Sequence, residues 1–274
     1  MYSTLWITFL MALAISLAVT PLAIKLAPRI GAVDIPKDNR RMHTKVMPRF
    51  GGLAIFAGSA ISMLVFLRFD PKILIITAGG TMIYILGVID DLRNLSPKIK
   101  FAGQLLVAII MYMCDIRITF ITNYFGPGNS DLGTALCFII TILWIVGITN
   151  TVNLIDGLDG LAAGTAAIVS LCIAYAAYIH GTYLAAGAML ALAGGALGFL
   201  PYNFYPAKIF MGDGGSLYLG FMLSTLSVLG TVKSATFVSM IIPVLVLGVP
   251  IFDTAFAILR RFVNKKPIMG ADRG

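Results

Sequence analysis

Three interruptions in the apolar runs of this chain carry aspartates: Asp90-Asp91, Asp156-Gly-Leu-Asp159 and Asp213. Carboxylates at helix ends are the parts from which a metal-phosphate site is assembled, because Mg²⁺ takes one or two of them together with substrate phosphate oxygens. All twelve acidic residues are Asp and none is Glu. The shorter side chain loses less rotamer freedom when it is held rigidly round a hard cation.

Each junction has its own chemistry. In Gly87-Val-Ile-Asp90-Asp91-Leu-Arg-Asn-Leu-Ser96-Pro97-Lys-Ile-Lys100-Phe-Ala-Gly-Gln104, two adjacent acids end one helix, and Ser96-Pro97 suits the cap and first position of the next. Neighbouring carboxylates raise one another's pKa unless a cation neutralises them. The plainer reading is a solvated pair at a helix end, and further acids on the same face count against it. Asn150-Thr-Val-Asn153-Leu-Ile-Asp156-Gly157-Leu158-Asp159-Gly160 packs two amides, two acids and two close glycines between apolar runs. Asn and Asp offer donor and acceptor edges that can read a nucleobase or bind a metal, and glycine lets the backbone approach a ligand. Asp159 alone could instead cap the helix that follows. In Pro201-Tyr-Asn203-Phe-Tyr-Pro206-Ala-Lys208-Ile-Phe210-Met-Gly212-Asp213-Gly214-Gly215-Ser216, the third acid lies in a Gly-rich frame before a helix. Backbone N–H groups at such a start suit phosphate, and Asp213 beside them suits the ion that phosphate carries. Phe210 reads equally as a ring stacked on a base or as an interfacial anchor.

The elements that position these junctions are membrane helices. Of the 274 residues 59% are hydrophobic and 12% charged, with a mean hydropathy of +0.94. No ordinary soluble surface has that composition. Apolar stretches at 4–24, 51–67, 73–89, 101–114, 134–149, 160–179, 183–200, 215–230 and 235–259 predict nine spanning helices, the run at 101–114 being the weakest. The expected fold is all-α: a polytopic integral membrane protein forming a single transmembrane domain over 1–274. The first run has no basic residue ahead of it and is too long for a signal-peptide core, so it reads as a helix of the mature protein.

Lys and Arg set the orientation. Sixteen of the twenty fall in the 25–50 loop, at 90–100, at Lys208 and from Arg260 on, whereas Arg68, Lys72, Arg117 and Lys233 fall on the other face. The positive-inside rule then puts the N-terminus outside and all three acidic junctions in the cytoplasm. The net charge of +8 is largely this topology signal, facing anionic lipid. Nucleic acid is excluded as a partner, since the basic residues are spread over separate loops without a reader motif. Cys114, Cys137 and Cys172 have no motif spacing and read as small buried side chains. The outward segment 115–133 alternates over Arg117-Ile-Thr-Phe-Ile-Thr-Asn123 and turns at Gly126-Pro-Gly128, which predicts a small hairpin. Asp253 lies inside the last run, three residues after Pro250. A carboxylate there faces a protein cavity or accepts freed backbone N–H groups.

Taken together, these stretches resemble the polyprenyl-phosphate N-acetylhexosamine-1-phosphate transferases. The likeness also covers Asp34-Ile-Pro36, Arg40-Arg41-Met-His43, Pro48-Arg49-Phe-Gly51-Gly52 and Pro250-Ile-Phe-Asp253-Thr254, in order along nearly the whole chain. Pro48-Arg49-Phe-Gly-Gly is similar to the undecaprenyl-phosphate N-acetylglucosamine-1-phosphate branch. The pentapeptide branch, phospho-N-acetylmuramoyl-pentapeptide transferase, usually carries Thr-Pro-Thr-Met-Gly-Gly there and is the alternative. The resemblance implies Mg²⁺-dependent transfer of a sugar-1-phosphate, with Mn²⁺ as a substitute ion, from a UDP-N-acetylhexosamine to undecaprenyl phosphate. UMP is released, as a first membrane step of cell-wall or surface-polysaccharide synthesis. It implies Asp213 as the metal ligand, and Asn153, Asp156, Gly157, Leu158, Asp159 and Phe210 around the uridine. Lys45 and Asn203 would face the nucleotide, Lys100 would meet phosphate, and Asp90 and Asp91 would act as catalytic residues at the attacking phosphate. The expected location is the inner (plasma) membrane, among its lipids, with a cytoplasmic site and a homodimer left open. In relatives Ala271-Asp272-Arg273-Gly274 would be followed by a His-rich segment, so the chain reads as truncated at its C-terminus relative to the family.

General chemistry qualifies the catalytic assignment. The second pKa of a phosphate monoester lies near 6, so the lipid phosphate is already mostly a dianion at neutral pH and an aspartate base is helpful rather than required. Positioning and electrostatic compensation by Mg²⁺, Lys45 and Lys100 are expected to supply most of the rate. A secondary transporter would also carry interrupted helices and membrane acids, but its site lies near the midplane and no inverted repeat is evident here.

Overall fold

The computed structural model describes residues 2–34, 46–67, 70–122 and 129–231. Lys45, Asp253 and the ninth apolar run lie outside them. The described helices are α1 (Tyr2–Ile30), α2 (Gly52–Phe66), α3 (Pro71–Arg93), α4 (Pro97–Met113), α5 (Gly133–Ile155), α6 (Leu161–Ile179), α7 (Tyr183–Asn203) and α8 (Gly212–Thr231). They fall on the first eight apolar runs, in order. Five of them, α1, α3, α5, α6 and α7, are long and apolar enough to cross a membrane. The 15-residue α2 and 17-residue α4 are shorter. The result is a mostly helical, multi-pass membrane protein. Trp6, Leu22, Leu143 and Ile168 are each at least 60% exposed, which is the pattern expected where the surrounding solvent is lipid.

Lipid tails are as apolar as leucine, so helices in a bilayer associate through close packing rather than a hydrophobic drive. The α1–α7 contact follows that rule. A Cβ added at Gly194 would lie 2.3 Å from the Phe9 carbonyl, and one at Gly198 would lie 2.4 Å from that of Leu13. Helix α8 packs against α2, α3, α5, α6 and α7 and is buried almost throughout. That enclosure lets it carry Ser216, Ser224, Thr225 and Ser227 inside the bundle. Ser224 and Thr225 each donate to the Phe221 carbonyl at 2.8 Å, and Trp144 Nε1 donates to the Ser224 carbonyl at 3.2 Å.

The ends of these helices are set by local chemistry. Asp70 caps α3 by accepting from Lys72 N at 2.9 Å, with Pro71 in the first turn. Ser96 caps α4 ahead of Pro97, as the sequence predicts. Asn94 adopts the left-handed conformation (φ 49°) between them, which leaves a three-residue connection. Gly160, also left-handed (φ 74°), precedes α6. Asp159 makes no cap there. Two short hairpins complete the described chain. Strands β1 (Val33–Asp34) and β2 (Met47–Pro48) pair antiparallel near the start of α2. Strands β3 (Phe120–Thr122) and β4 (Asn129–Asp131) form the hairpin predicted between α4 and α5.

Candidate active site

The acidic junctions meet at one end of the bundle. The chain turns into α8 through Gly212 (φ 74°), and the first amides of that helix point at α3. Asp91 Oδ1 accepts from Asp213 N at 2.9 Å and Oδ2 from Gly214 N at 3.0 Å. Its side chain is 1% exposed. A carboxylate from another helix therefore occupies the amide groups that sequence reasoning reserved for phosphate. It satisfies orphan donors and complements the positive end of the helix dipole.

That contact requires α3 and α8 to touch backbone to backbone. A Cβ at Gly87 would lie 2.5 Å from the Asp213 carbonyl oxygen. Gly87→Ala is expected to push the start of α8 away and destabilise the protein by about 1–3 kcal/mol, as overpacking does. Thermal unfolding of the purified variant measures it, and a melting temperature equal to wild type would refute the close contact.

Asp213 itself projects from this turn and is held on both oxygens. Arg49 Nη2 lies 2.6 Å from Oδ1, and Lys100 Nζ donates to Oδ2. Arg49 Nε also reaches Asp91 Oδ1 at 3.1 Å, and Lys100 Nζ reaches Asp90 Oδ2 at 2.9 Å. The other oxygen of Asp90 accepts from Leu95 N at 2.7 Å, so that acid also shapes the α3–α4 turn. Three carboxylates against two cations leave the cluster one negative charge, and Asp156 stands nearby at the end of α5. Burial pushes the Asp156 carboxyl well above the usual carboxylate range; Arg49 opposes the shift, while Asp213 and Asp91 add to it. The negative charge that Asp213 and Asp91 add beside it is what an added cation would offset.

The remaining sequence candidates divide into two groups. Asn153 reaches the start of α8, accepting from Ser216 Oγ at 2.7 Å one turn into that helix. Gly157 and Leu158 are exposed beside it, Leu158 at 62%, with nothing within 4 Å of where a Gly157 side chain would begin. Asp159 and Asn203 are used on backbone instead. Asp159 Oδ2 accepts from Ala207 N at 2.9 Å. Buried Asn203 accepts from Gly160 N at 3.1 Å and donates to the Ile209 carbonyl at 3.0 Å. These bonds strap the α5–α6 loop to the α7–α8 loop, so both side chains are spent on holding the loops together. Half-buried Phe210 follows in the same strap, bonded through its backbone to Pro48 and Gly51.

Sequence reasoning gave Arg49 no role, although Pro48-Arg49-Phe-Gly-Gly was singled out as a motif. A cation between a proline and paired glycines was the available signal. Sequence reasoning also gave Gln104 no role and read Asn150 only as one of two ligand-reading amides. Their amides face each other between α4 and α5, and Asn150 Nδ2 also donates to the Val146 carbonyl at 2.8 Å. This pair lies one turn deeper than Lys100 and one turn before Asn153, and it fixes how the two helices face the cluster.

The arrangement suits a phosphorylated ligand that brings a cation. Among the described residues no three His, Cys, Asp or Glu side chains form a closed metal cage. Mg²⁺ does not ask for one, since it commonly binds one or two carboxylates and completes its shell with phosphate oxygens and water. Asp213, accessible and flanked by Asp90, fits that description.

The model of "Glycosyl transferase family 4" matches residues 73–231. The chain is 47% identical over 268 residues to a "Probable undecaprenyl-phosphate N-acetylglucosaminyl 1-phosphate transferase" of Bacillus subtilis (strain 168), covering 97% of this chain and 74% of that protein. It is 34% identical to a "Decaprenyl-phosphate N-acetylglucosaminephosphotransferase" of Mycolicibacterium smegmatis, covering 86% of this chain and 65% of the relative. A "Phospho-N-acetylmuramoyl-pentapeptide-transferase" of Bacillus subtilis is 33% identical, with 92% and 81% covered.

Proposed function

The chain belongs to glycosyl transferase family 4, and from that premise we propose that it moves N-acetylglucosamine-1-phosphate from UDP-N-acetylglucosamine to undecaprenyl phosphate. An oxygen of the lipid phosphate forms a bond to the β-phosphorus of the donor. The bond from that phosphorus to the bridging oxygen breaks, and UMP leaves with the electron pair. The observation that carries this reading is the meeting of Asp90, Asp91 and Asp213 from two separate junctions, with Arg49 and Lys100 bridging them. The higher identity to the N-acetylglucosamine relative supports that sugar over the pentapeptide alternative.

Residue roles follow from access. Asp213 would hold Mg²⁺, or Mn²⁺ in its place, and the ion would offset the charge of the donor diphosphate. Lys100 spans Asp90 and Asp213 and would lie between the two approaching phosphates. Asp90 would orient Lys100 and the acceptor. Asp91 is enclosed and fully bonded, so its part is to anchor α8 and Arg49 rather than to exchange a proton. Asn153, Asp156, Gly157 and Leu158 would line the nucleoside, with Phe210 as its stacking ring; Lys45, outside the described residues, would face the nucleotide as the family resemblance implies. Most Lys and Arg residues sit in the loops on the side of the acidic junctions, which supports a cytoplasmic site in the inner membrane.

The test is Mg²⁺-dependent UMP release from a panel of UDP-sugars with undecaprenyl phosphate, using full-length protein. UDP-N-acetylglucosamine is expected to be the preferred donor, and Asp213→Ala to release none. A folded, full-length preparation that produces no UMP from any sugar would end this reading.

A further inference from the structure

Arg49 answers to two carboxylates that differ in freedom. Asp91 is 1% exposed and spends both oxygens on the start of α8, whereas the side chain of Asp213 is 18% exposed. The backbone that carries Arg49 is pinned on both sides. Its N–H donates to the Ala32 carbonyl at 2.9 Å, Phe210 N donates to Pro48 at 2.8 Å, and Gly51 N donates to Phe210 at 2.9 Å. Of its two ion pairs, the 3.1 Å contact of Nε meets the enclosed carboxylate of Asp91, which cannot move away, whereas Nη2 hydrogen-bonds at 2.6 Å to the more accessible Asp213. The one through Nη2 to Asp213 is exchangeable. A guanidinium carries five N–H donors in a planar fork, so it can stay ion-paired with Asp91 on its Nε side while its outer nitrogens change partner.

We propose that Arg49 is a substrate-phosphate residue of this site, held in waiting by Asp213. Without ligand its outer nitrogens cover the Asp213 oxygen that a divalent cation needs. When cation and diphosphate enter together, those nitrogens pass to a phosphate oxygen while Nε stays on Asp91. This inference rests on the transferase reading above. It gives one residue two opposite effects: Arg49 competes with the cation when no nucleotide is present, and it strengthens nucleotide binding once the cation is there. A side chain that only held the fold together would produce neither.

The experiment uses full-length protein with two probes, Mn²⁺ followed by electron paramagnetic resonance without nucleotide, and UDP followed by calorimetry at saturating Mg²⁺. R49Q is expected to bind Mn²⁺ more tightly and UDP about tenfold more weakly, the scale of a lost charge-assisted pair. R49K keeps the charge and loses the fork. It is expected to bind UDP several-fold more weakly, with Mn²⁺ affinity no lower than wild type. Folded R49Q with unchanged or weaker Mn²⁺ binding, or with unchanged UDP binding, overturns the proposal. If R49Q does not fold, unchanged UDP binding by R49K overturns it equally. A wild-type protein that binds neither probe defeats the transferase reading itself, which separates the two failures.

Discussion

Asp213→Asn is expected to lower UMP release by at least about a thousandfold, the scale on which losing a metal-holding or charge-stabilising group acts. The fold should survive the change. The amides at the start of α8 are held by Asp91 and not by Asp213, and Arg49 and Lys100 keep Asp91 and Asp90 as partners. The variant should therefore unfold near the wild-type temperature while Mn²⁺ binding disappears. Retention of more than a few per cent of wild-type turnover would remove Asp213 from the centre of the site.

Asp91→Ala should act in the reverse order, on stability first. It strips two buried amides of their acceptor and takes from half-buried Arg49 one of its two carboxylates, leaving Asp213; each buried donor left unsatisfied costs about 1–3 kcal/mol. Asp90→Ala should cost less, because Asp90 is 11% exposed and Lys100 keeps Asp213. Thermal unfolding of both variants in the same detergent separates them. Equal melting temperatures would show that the two neighbours do the same job.

That contrast marks the limit of what the sequence could tell. Spanning helices were legible because a bilayer demands a length and an apolarity that few other structures need, and Ser96-Pro97 announces its own cap. The three acidic junctions were legible because charge is expensive between such helices. The division of labour between Asp90 and Asp91 was not. Successive helix residues point about 100° apart, so one faces the connecting turn and the other faces α8, and nothing in an Asp-Asp pair says which. The backbone partners of Asp159 and Asn203 were not legible either, for a different reason. Their side chains bond backbone as readily as ligand, and a bond to Ala207 or Ile209 depends on where a distant loop comes to rest. Arg49 sits in no periodic pattern, and its partners lie 42 and 164 positions away in the chain, the second a hydrogen-bonded pair.

The mutual engagement of Arg49 and Lys100 with the aspartates has a consequence for how the protein lives among abundant small anions. Both cations are already spoken for, so chloride, sulfate or orthophosphate arriving alone would have to displace a carboxylate that cannot leave. A visitor that delivers its own positive charge faces no such toll, because it compensates Asp213 as it frees the guanidinium. The pocket is self-quenched at rest, and that quenching screens out bare anions before any sugar or base is inspected.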